Sequence, residues 1–260
     1  MSNSELHVNY RFVLDFAKRN VPLGKVLDYG CGSGQVVRAG LDAGLDIAGC
    51  EVFYGGGHGT EGAVSDLLGT RIFKIEDGSV PFRDSYFDCV INNQVFEHVE
   101  NMDAVLAEIH RVLKPGGFLL SLFPSREVIR EGHCGVPMAH RLCKYPKLGY
   151  YWLLAFRLLG IGYFKGDKDP KQWASDFQVW LQKYCTYRPE KEIMEIFSRQ
   201  RLSPVGIEKE YIRFRGLPFF TPWMMRKLGF MVLLSRKNQQ LPDARASAQY
   251  SSSAQMHRLP

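Results

Sequence analysis

The stretch VLDYGCGSGQ, residues 26–35, decides the fold. It begins apolar at Val26 and Leu27, sets a carboxylate at Asp28, and then places Gly30, Gly32 and Gly34 at every second position. The apolar start reads as a buried strand, KVLDYG, and the residues after the glycines, GQVVRAGLDAG, read as a helix. A glycine turn between a strand and a helix lets a ligand lie against the backbone and the helix N-terminus.

Working outward, LDIAGCEV (45–52) is a second strand that ends near Glu51, 17 residues beyond Gly34. TRIFKI (70–75) and FDCVINNQ (87–94) are third and fourth strands, rich in β-branched or aromatic residues. In NMDAVLAEIHRVLKPGG (101–117), Met102, Val105, Leu106, Ile109, Val112 and Leu113 recur at helical spacing until Pro115 and Gly116 end the helix. GGFLLSLF is the fifth strand, PEKEIMEIFSRQR a later helix, and PVGIEKEYIRF and LGFMVLLSR the last strands. Strands alternating with helices imply an α/β fold with a doubly wound, mostly parallel sheet, whose ligand crevice lies at the strands' carboxyl ends.

That crevice suits a nucleoside better than a dinucleotide. An acid at the end of the second strand can accept hydrogen bonds from two ribose hydroxyls, whereas the third glycine of G-x-G-x-x-G, counted from Gly30, falls on Gln35. Asp28 would repel a pyrophosphate but can sit beside an ammonium. The expected ligand carries a ribose and a cationic end.

These residues resemble the class I S-adenosylmethionine-dependent methyltransferases. VLDYGCGSG is similar to the first motif of that family, EDGSVPFRDSYFDCVINNQVFEHV (76–99) to its second and third, and EIHRVLKPGGFLLSLF (108–123) to the helix and fifth strand that follow. The resemblance covers about Val26 to Phe123 and returns at the C-terminal strands, and it implies a seven-stranded Rossmann-like sheet and S-adenosyl-L-methionine as cofactor. It implies further that Asp28, Gly30, Gly32 and Gly34 line the methionine and ribose part, that Glu51 holds the ribose hydroxyls, that Asp77 and Gly78 border the adenine, and that Asn93 lies beside the methyl-bearing sulfur. FYGGGHGTEG (53–62), with five glycines, departs from the family, which commonly starts a helix there.

A sulfonium is already an activated methyl donor, so a base is needed only when the acceptor must lose a proton. His98, just after the fourth strand, is the first candidate, with Glu97 as its neighbour and substitute and His133 as a third; capping or packing of the following helix is the alternative use of 97 and 98. Residues 1–123 are read as an N-terminal helix and the cofactor-binding core, 124–188 as an inserted helical substrate lid, 189–238 as the helix and strands completing the sheet, and 239–260 as a disordered tail.

The insert begins with REVIREGHCGVPMAHRL (126–142), where Arg126, Arg130 and Arg141 suit phosphate or carboxylate recognition. His133, Cys134, His140 and Cys143 match no standard zinc spacing, and no metal is expected. LGYYWLLAFRLLGIGYF (148–164) is aromatic but, at 17 residues with Arg157 inside it, too short to span a bilayer. Together with GLPFFTPWMMRKLG (216–229) it reads as lid core, as a wall for a lipid-like acceptor, or as a peripheral membrane contact.

Composition bounds the rest. With 45% hydrophobic and 23% charged residues the 260-residue chain is globular. Its net charge of +6 is unevenly divided: residues 1–123 carry 10 Lys+Arg against 16 Asp+Glu, whereas 124–238 carry 21 against 10. The basic second half points to an anionic partner. Six dispersed cysteines and a charged start without an apolar run predict free thiols and a cytoplasmic protein, peripheral to a membrane's inner face if the aromatic stretches meet lipid. The expected activity is methyl transfer to a small-molecule, oxygen-bearing acceptor such as a glycan, quinone or lipid-like anion. RNA or protein methylation, and a cofactor-binding subunit without activity, are the alternatives; no nucleic-acid motif supports the first. The oligomeric state is not legible.

Overall fold

The computed structural model describes residues 6–54 and 60–238. The glycine-rich loop after the second strand lies in part, and the tail 239–260 wholly, outside the described residues. In chain order the elements are α1 (Val8–Asn20), β1 (Lys25–Tyr29), α2 (Gln35–Asp42), β2 (Asp46–Glu51), β3 (Ile72–Lys74), β4 (Phe87–Asn93), α3 (Met102–Val112), β5 (Leu113–Phe123), α4 (Ala139–Leu142), α5 (Pro146–Leu158), α6 (Pro170–Tyr184), α7 (Glu190–Arg199), β6 (Leu202–Gly206), α8 (Glu208–Phe214), α9 (Pro222–Leu228) and β7 (Met231–Lys237).

The strands form one seven-stranded sheet in the order β3-β2-β1-β4-β5-β7-β6. β1 to β5 are parallel, and β7 runs antiparallel between β5 and β6. The strand order reverses between β1 and β4, so the crevice opens where β1, β2 and β4 end.

Both sheet faces are covered, which is why the central strands read as continuous apolar runs. Phe12, Val13, Phe16 and Ala17 give α1 one apolar face, which packs with Val36 and Val37 of α2 and Tyr211 and Ile212 of α8 against Val26, Ile47 and Ile91. On the other face Leu106 and Ile109 of α3 and Ile193 and Phe197 of α7 cover Leu27, Val90 and Leu119. Each such side chain contributes about 1.5–3 kcal/mol on burial. α3 starts at Asn101, whose side chain accepts from the Ala104 N–H at 3.0 Å.

Two elements differ from the pattern reading. The helix 101–117 stops at Val112, and β5 runs through Pro115 and Gly116, beside a register shift opposite Phe87 and Cys89. PVGIEKEYIRF divides: only Leu202–Gly206 is strand, and Glu208–Phe214 is a helix. Buried Glu208, Tyr211 and Ile212 share a face at spacings of three and four, a helical period hidden in a β-branched context.

Residues 124–188 hold three helices and an apolar core of their own, with Trp173, Leu153, Leu181, Cys134 and Cys143 buried together. No helix among the described residues is long and apolar enough to cross a membrane.

Candidate active site

Backbone bonds tie the glycine turn to β2: the N–H groups of Gly30 and Cys31 both donate to Cys50 O, at 2.9 and 3.1 Å. Gly30, Gly32 and Gly34 all have positive φ, at 77°, 52° and 72°. A methyl at Gly30 would lie 2.4 Å from the Val95 side chain, so that position is bare because the post-β4 loop presses on it. Gly32 is different: a Cβ there would meet nothing within 4 Å. It leaves an open cradle beside the turn rather than making room for a neighbour.

Two carboxylates, Glu51 and Asp28, lie at this turn. Glu51, at the end of β2, accepts from the Gly32 N–H with Oε2 and from the Val52 N–H with Oε1, both at 2.8 Å, which fixes it against the turn. Asp28 is 3% exposed, and burial, with the nearby charge of Glu51, pushes it up to about 7. A cation beside Asp28 would relieve both effects, and an α-ammonium is such a cation. Asp77 and Gly78, with φ of 50° and 77°, form the turn after β3, two residues past Ile75, whose N–H donates to Glu51 O at 2.8 Å. The residues present therefore fit a ribose-bearing ligand with a cationic end: an open glycine cradle, a fixed acid at the ribose position and a buried acid short of a counter-charge.

Left-handed non-glycine residues gather here as well. Phe53, Asp77 and Gln94 follow β2, β3 and β4 with φ of 52°, 50° and 57°. Each such residue costs on the order of 1–3 kcal/mol and persists where surrounding structure over-determines it, typically at functional sites.

Asn93, at the end of β4, accepts from Asn9 Nδ2 of α1 at 3.3 Å, and Tyr211 Oη of α8 donates to Asn9 Oδ1. Asn9 is buried and α1 so forms a wall of the crevice. Tyr10 adjoins it, its hydroxyl raised by burial and then by the charge of Asp28. Neither residue belongs to a motif, and only a helix face turned toward the crevice reveals them.

Past Asn93 the insert meets the sheet. His98 Nδ1 lies 2.8 Å from Tyr184 O; a carbonyl only accepts, so Nδ1 carries the proton. The His98 ring contacts His133 at 4.9 Å, Trp180 at 5.9 Å and Tyr54 at 6.3 Å between centroids. Glu97 is 1% exposed, both its carboxylate oxygens lack a hydrogen-bond partner, and burial raises it to about 7. The structure thus brings His98, Glu97 and His133 together, a residue pair just past β4 and a residue of 124–188 at least 35 positions away in sequence.

Other residues of 126–142 hold the insert's backbone. Arg141 Nε and His140 Nε2 lie 2.8 and 3.0 Å from Arg126 O. Cys134 and Cys143 are buried in the insert's core, and the group whose liganding atoms lie within 4.8 Å of one another, among the described residues, is instead His98, His133 and Cys185. Glu131, Trp180, Tyr184, Cys185 and Tyr187 complete the cluster and carry no sequence signal beyond their residue types.

Comparison with known proteins gives this geometry a family. The family described as "Methyltransferase domain" matches residues 27–121, from the first strand to the fifth. Those residues form a class I S-adenosylmethionine-dependent methyltransferase domain. A malonyl-[acyl-carrier protein] O-methyltransferase of Coxiella burnetii is 35% identical to the chain over 79 residues, covering 30% of this chain and 28% of that protein. A demethylmenaquinone methyltransferase of Symbiobacterium thermophilum is 31% identical over 117 residues, covering 42% of this chain and 46% of that one. The chain so spans about half the length, or less, of the curated relatives it matches, and the similarity is to their methyltransferase domains. The fold extends further: an S-adenosylmethionine-dependent methyltransferase structure from Mesorhizobium loti superposes with a TM-score of 0.52 at 13% identity, over 89% of this chain and 99% of that chain.

Proposed function

We propose that this chain binds S-adenosyl-L-methionine at the glycine turn and transfers its methyl group to a small-molecule oxygen acceptor enclosed between the post-β4 segment and the insert 124–188. The observation that carries this reading is the junction at His98, where a residue just past β4 bonds Tyr184 O of the insert at 2.8 Å and packs on His133 and Trp180. That junction gathers polar and aromatic side chains past β4, and Tyr54, which follows β2, joins them through its contact with Tyr184 at 5.6 Å.

In this reading Asp28 takes the ammonium, Glu51 the ribose hydroxyls, Asp77 and Gly78 border the adenine, and Asn93 stands beside the sulfonium. Glu51 keeps the N–H groups of Gly32 and Val52, one on each carboxylate oxygen, and the second lone pair of each oxygen is left for a ribose hydroxyl. The cofactor, when bound, supplies an activated methyl on sulfur. The chain's part is orientation and exclusion of water: Asn9 braces Asn93, and Trp180, Tyr184 and Tyr54 wall the acceptor side. Quinone, phenolic and glycan hydroxyls are acceptors of the right class.

Titration calorimetry with S-adenosylmethionine and S-adenosylhomocysteine, followed by release of S-adenosylhomocysteine over phenol, quinol and glycan acceptors, tests this. Micromolar binding with release on one class is the expected result. Absence of binding removes the cofactor assignment, and binding without release on any class favours a subunit without activity.

A second reading concerns placement. Leu158, Leu159 and Phe164 are exposed at 69%, 75% and 72%, and Phe219 and Trp223 at 91% and 66%. The two groups are joined by the strap 128–138: Ile129 N–H donates to Lys227 O at 2.7 Å, and Arg130 stacks on Tyr163 at 4.8 Å. Apolar tips flanked by Lys165 and Lys227 match an anionic bilayer surface, and we propose that the protein docks there to reach a lipid-like acceptor; Arg226 is paired with Glu190 and Glu208 and Lys168 with Asp176. Co-sedimentation with phosphatidylglycerol vesicles is expected, with loss of roughly 1 kcal/mol per removed cation. Equal recovery with and without vesicles removes this placement.

A further inference from the structure

Glu131 is fully buried, yet every lone-pair direction of its carboxylate is used. Oε2 accepts from the backbone N–H of His133 at 2.9 Å and of Cys134 at 2.6 Å, while Oε1 accepts from Tyr187 Oη and from His133 Nδ1, each at 2.6 Å. A carboxylate with four donors stays ionised inside a protein. Burial alone would raise Glu131, but the bonds and charge of His133, then Tyr187 and the Cys134 N–H, hold it at about 2. The imidazole of His133 accordingly carries its proton on Nδ1, and its Nε2 has the lone pair.

The ring is placed to use that lone pair. His133 is held at three sides, by Glu131, by the His98 ring at 4.9 Å and by the Trp180 ring at 4.7 Å, and its side chain remains 20% exposed. Burial lowers its affinity for a second proton, and the carboxylates of Glu131 and Glu97 more than offset this, so His133 is raised above an ordinary histidine. The Nδ1 of His98, by comparison, lies against a backbone carbonyl, Tyr184 O, at 2.8 Å.

We propose that Glu131, His133 and Tyr187 form the acid–base site for the acceptor. His133 is the catalytic residue, and Glu131 and Tyr187 are positioning residues. The inference rests on the methyl-transfer reading above and narrows its substrate to an acceptor whose hydroxyl must lose a proton. His133 Nε2 takes the proton of the acceptor O–H. The acceptor oxygen's electron pair forms the new O–CH3 bond as the S–CH3 bond breaks and its pair remains on sulfur. The positive charge passes from sulfonium to imidazolium, beside ionised Glu131, and the proton then leaves to water.

The test uses the full chain labelled with 15N-histidine. Long-range 1H–15N correlation is expected to show His133 as the Nδ1–H tautomer in its neutral form, titrating above the ordinary ~6.5. Glu131→Gln should bring that midpoint below ~6.5, and Tyr187→Phe, which removes one donor from Glu131 and leaves its charge, should move it less. On the reactive acceptor, His133→Gln should reduce kcat roughly 10²–10⁴-fold with S-adenosylmethionine affinity within about threefold of wild type. Glu131→Gln should shift the acid limb of the pH–rate profile in step with the histidine midpoint. An Nε2–H tautomer, a midpoint unmoved by both Glu131→Gln and Tyr187→Phe, or wild-type turnover in His133→Gln overturns the proposal. Tight one-to-one zinc binding abolished by His133→Gln would overturn it too, in favour of ligation by His98, His133 and Cys185. Failure of wild-type protein to bind S-adenosylmethionine would instead remove the methyl-transfer reading, and the tautomer would still stand on its own measurement.

Discussion

Two regions of this protein bury carboxylates and treat them in opposite ways. At the ends of the sheet strands, Asp28 is 3% exposed and Glu97 1%, and each is pushed up to about 7 by burial. In the insert, Glu131 is buried as completely, yet its four donors hold it at about 2. Burial alone therefore does not set the charge of an acid; the supply of donors does. The sheet end leaves these acids without a counter-charge strong enough to offset burial, and residues 124–188 complete an ion pair of their own, Glu131 with His133.

The difference has opposite signs in stability against pH. Asp28 binds its proton more tightly folded than unfolded, so its contribution falls as pH rises from about 3.8 toward 7 and is constant above. The shift corresponds to a cost on the order of 4 kcal/mol at pH 8. Asp28→Asn should recover most of that in ligand-free protein at pH 8 and little at pH 4, while weakening S-adenosylmethionine by tenfold or more. Denaturant melts at the two pH values decide it; equal stabilisation at both would show that Asp28 binds its proton equally well in the folded and unfolded protein.

Glu131 is lowered from 4.5 to about 2, so its contribution is present above about 4.5 and lost as pH falls toward 2. Glu131→Gln is expected to cost about 3 kcal/mol at pH 7, with the gap to wild type narrowing steadily below pH 4. A thermal midpoint depressed by roughly 10 °C at neutral pH is the corresponding reading. A gap that stays constant across pH would mean that shape, and not the ionised carboxylate, holds the strap.

The smallest stability effect belongs to the cradle. Gly32→Ala strains a residue at φ 52° by roughly 1–2 kcal/mol and meets no neighbour. Its methyl would project into the space assigned to the ligand, so affinity for S-adenosylmethionine should fall far more than stability does. Calorimetric affinity within threefold of wild type would place the ligand elsewhere on the turn.

Prediction from pattern succeeded for the fold: the glycine turn follows β1, Glu51 ends β2 and Asn93 ends β4. These positions are legible because a Rossmann-like sheet is built from strands and the turns that leave them. It failed at PVGIEKEYIRF, where β-branched residues masked a short helix whose burial depends on Phe12 of α1 contacting Tyr211. It passed over Glu131 because a lone glutamate in a loop has no period and no motif.

What the sequence by itself determined is therefore the α/β class and the turn at the end of β1, with Asp28, Gly30, Gly32 and Gly34, that lies against Glu51 at the end of β2. What only the tertiary structure decided is the cluster past β4: that Glu131 and Tyr187, 56 residues apart, share one hydrogen bond, and that His133 lies against His98. The physical reason is that a turn's conformation is encoded in the residues forming it, whereas the charge state of a buried acid depends on donors brought from distant parts of the chain.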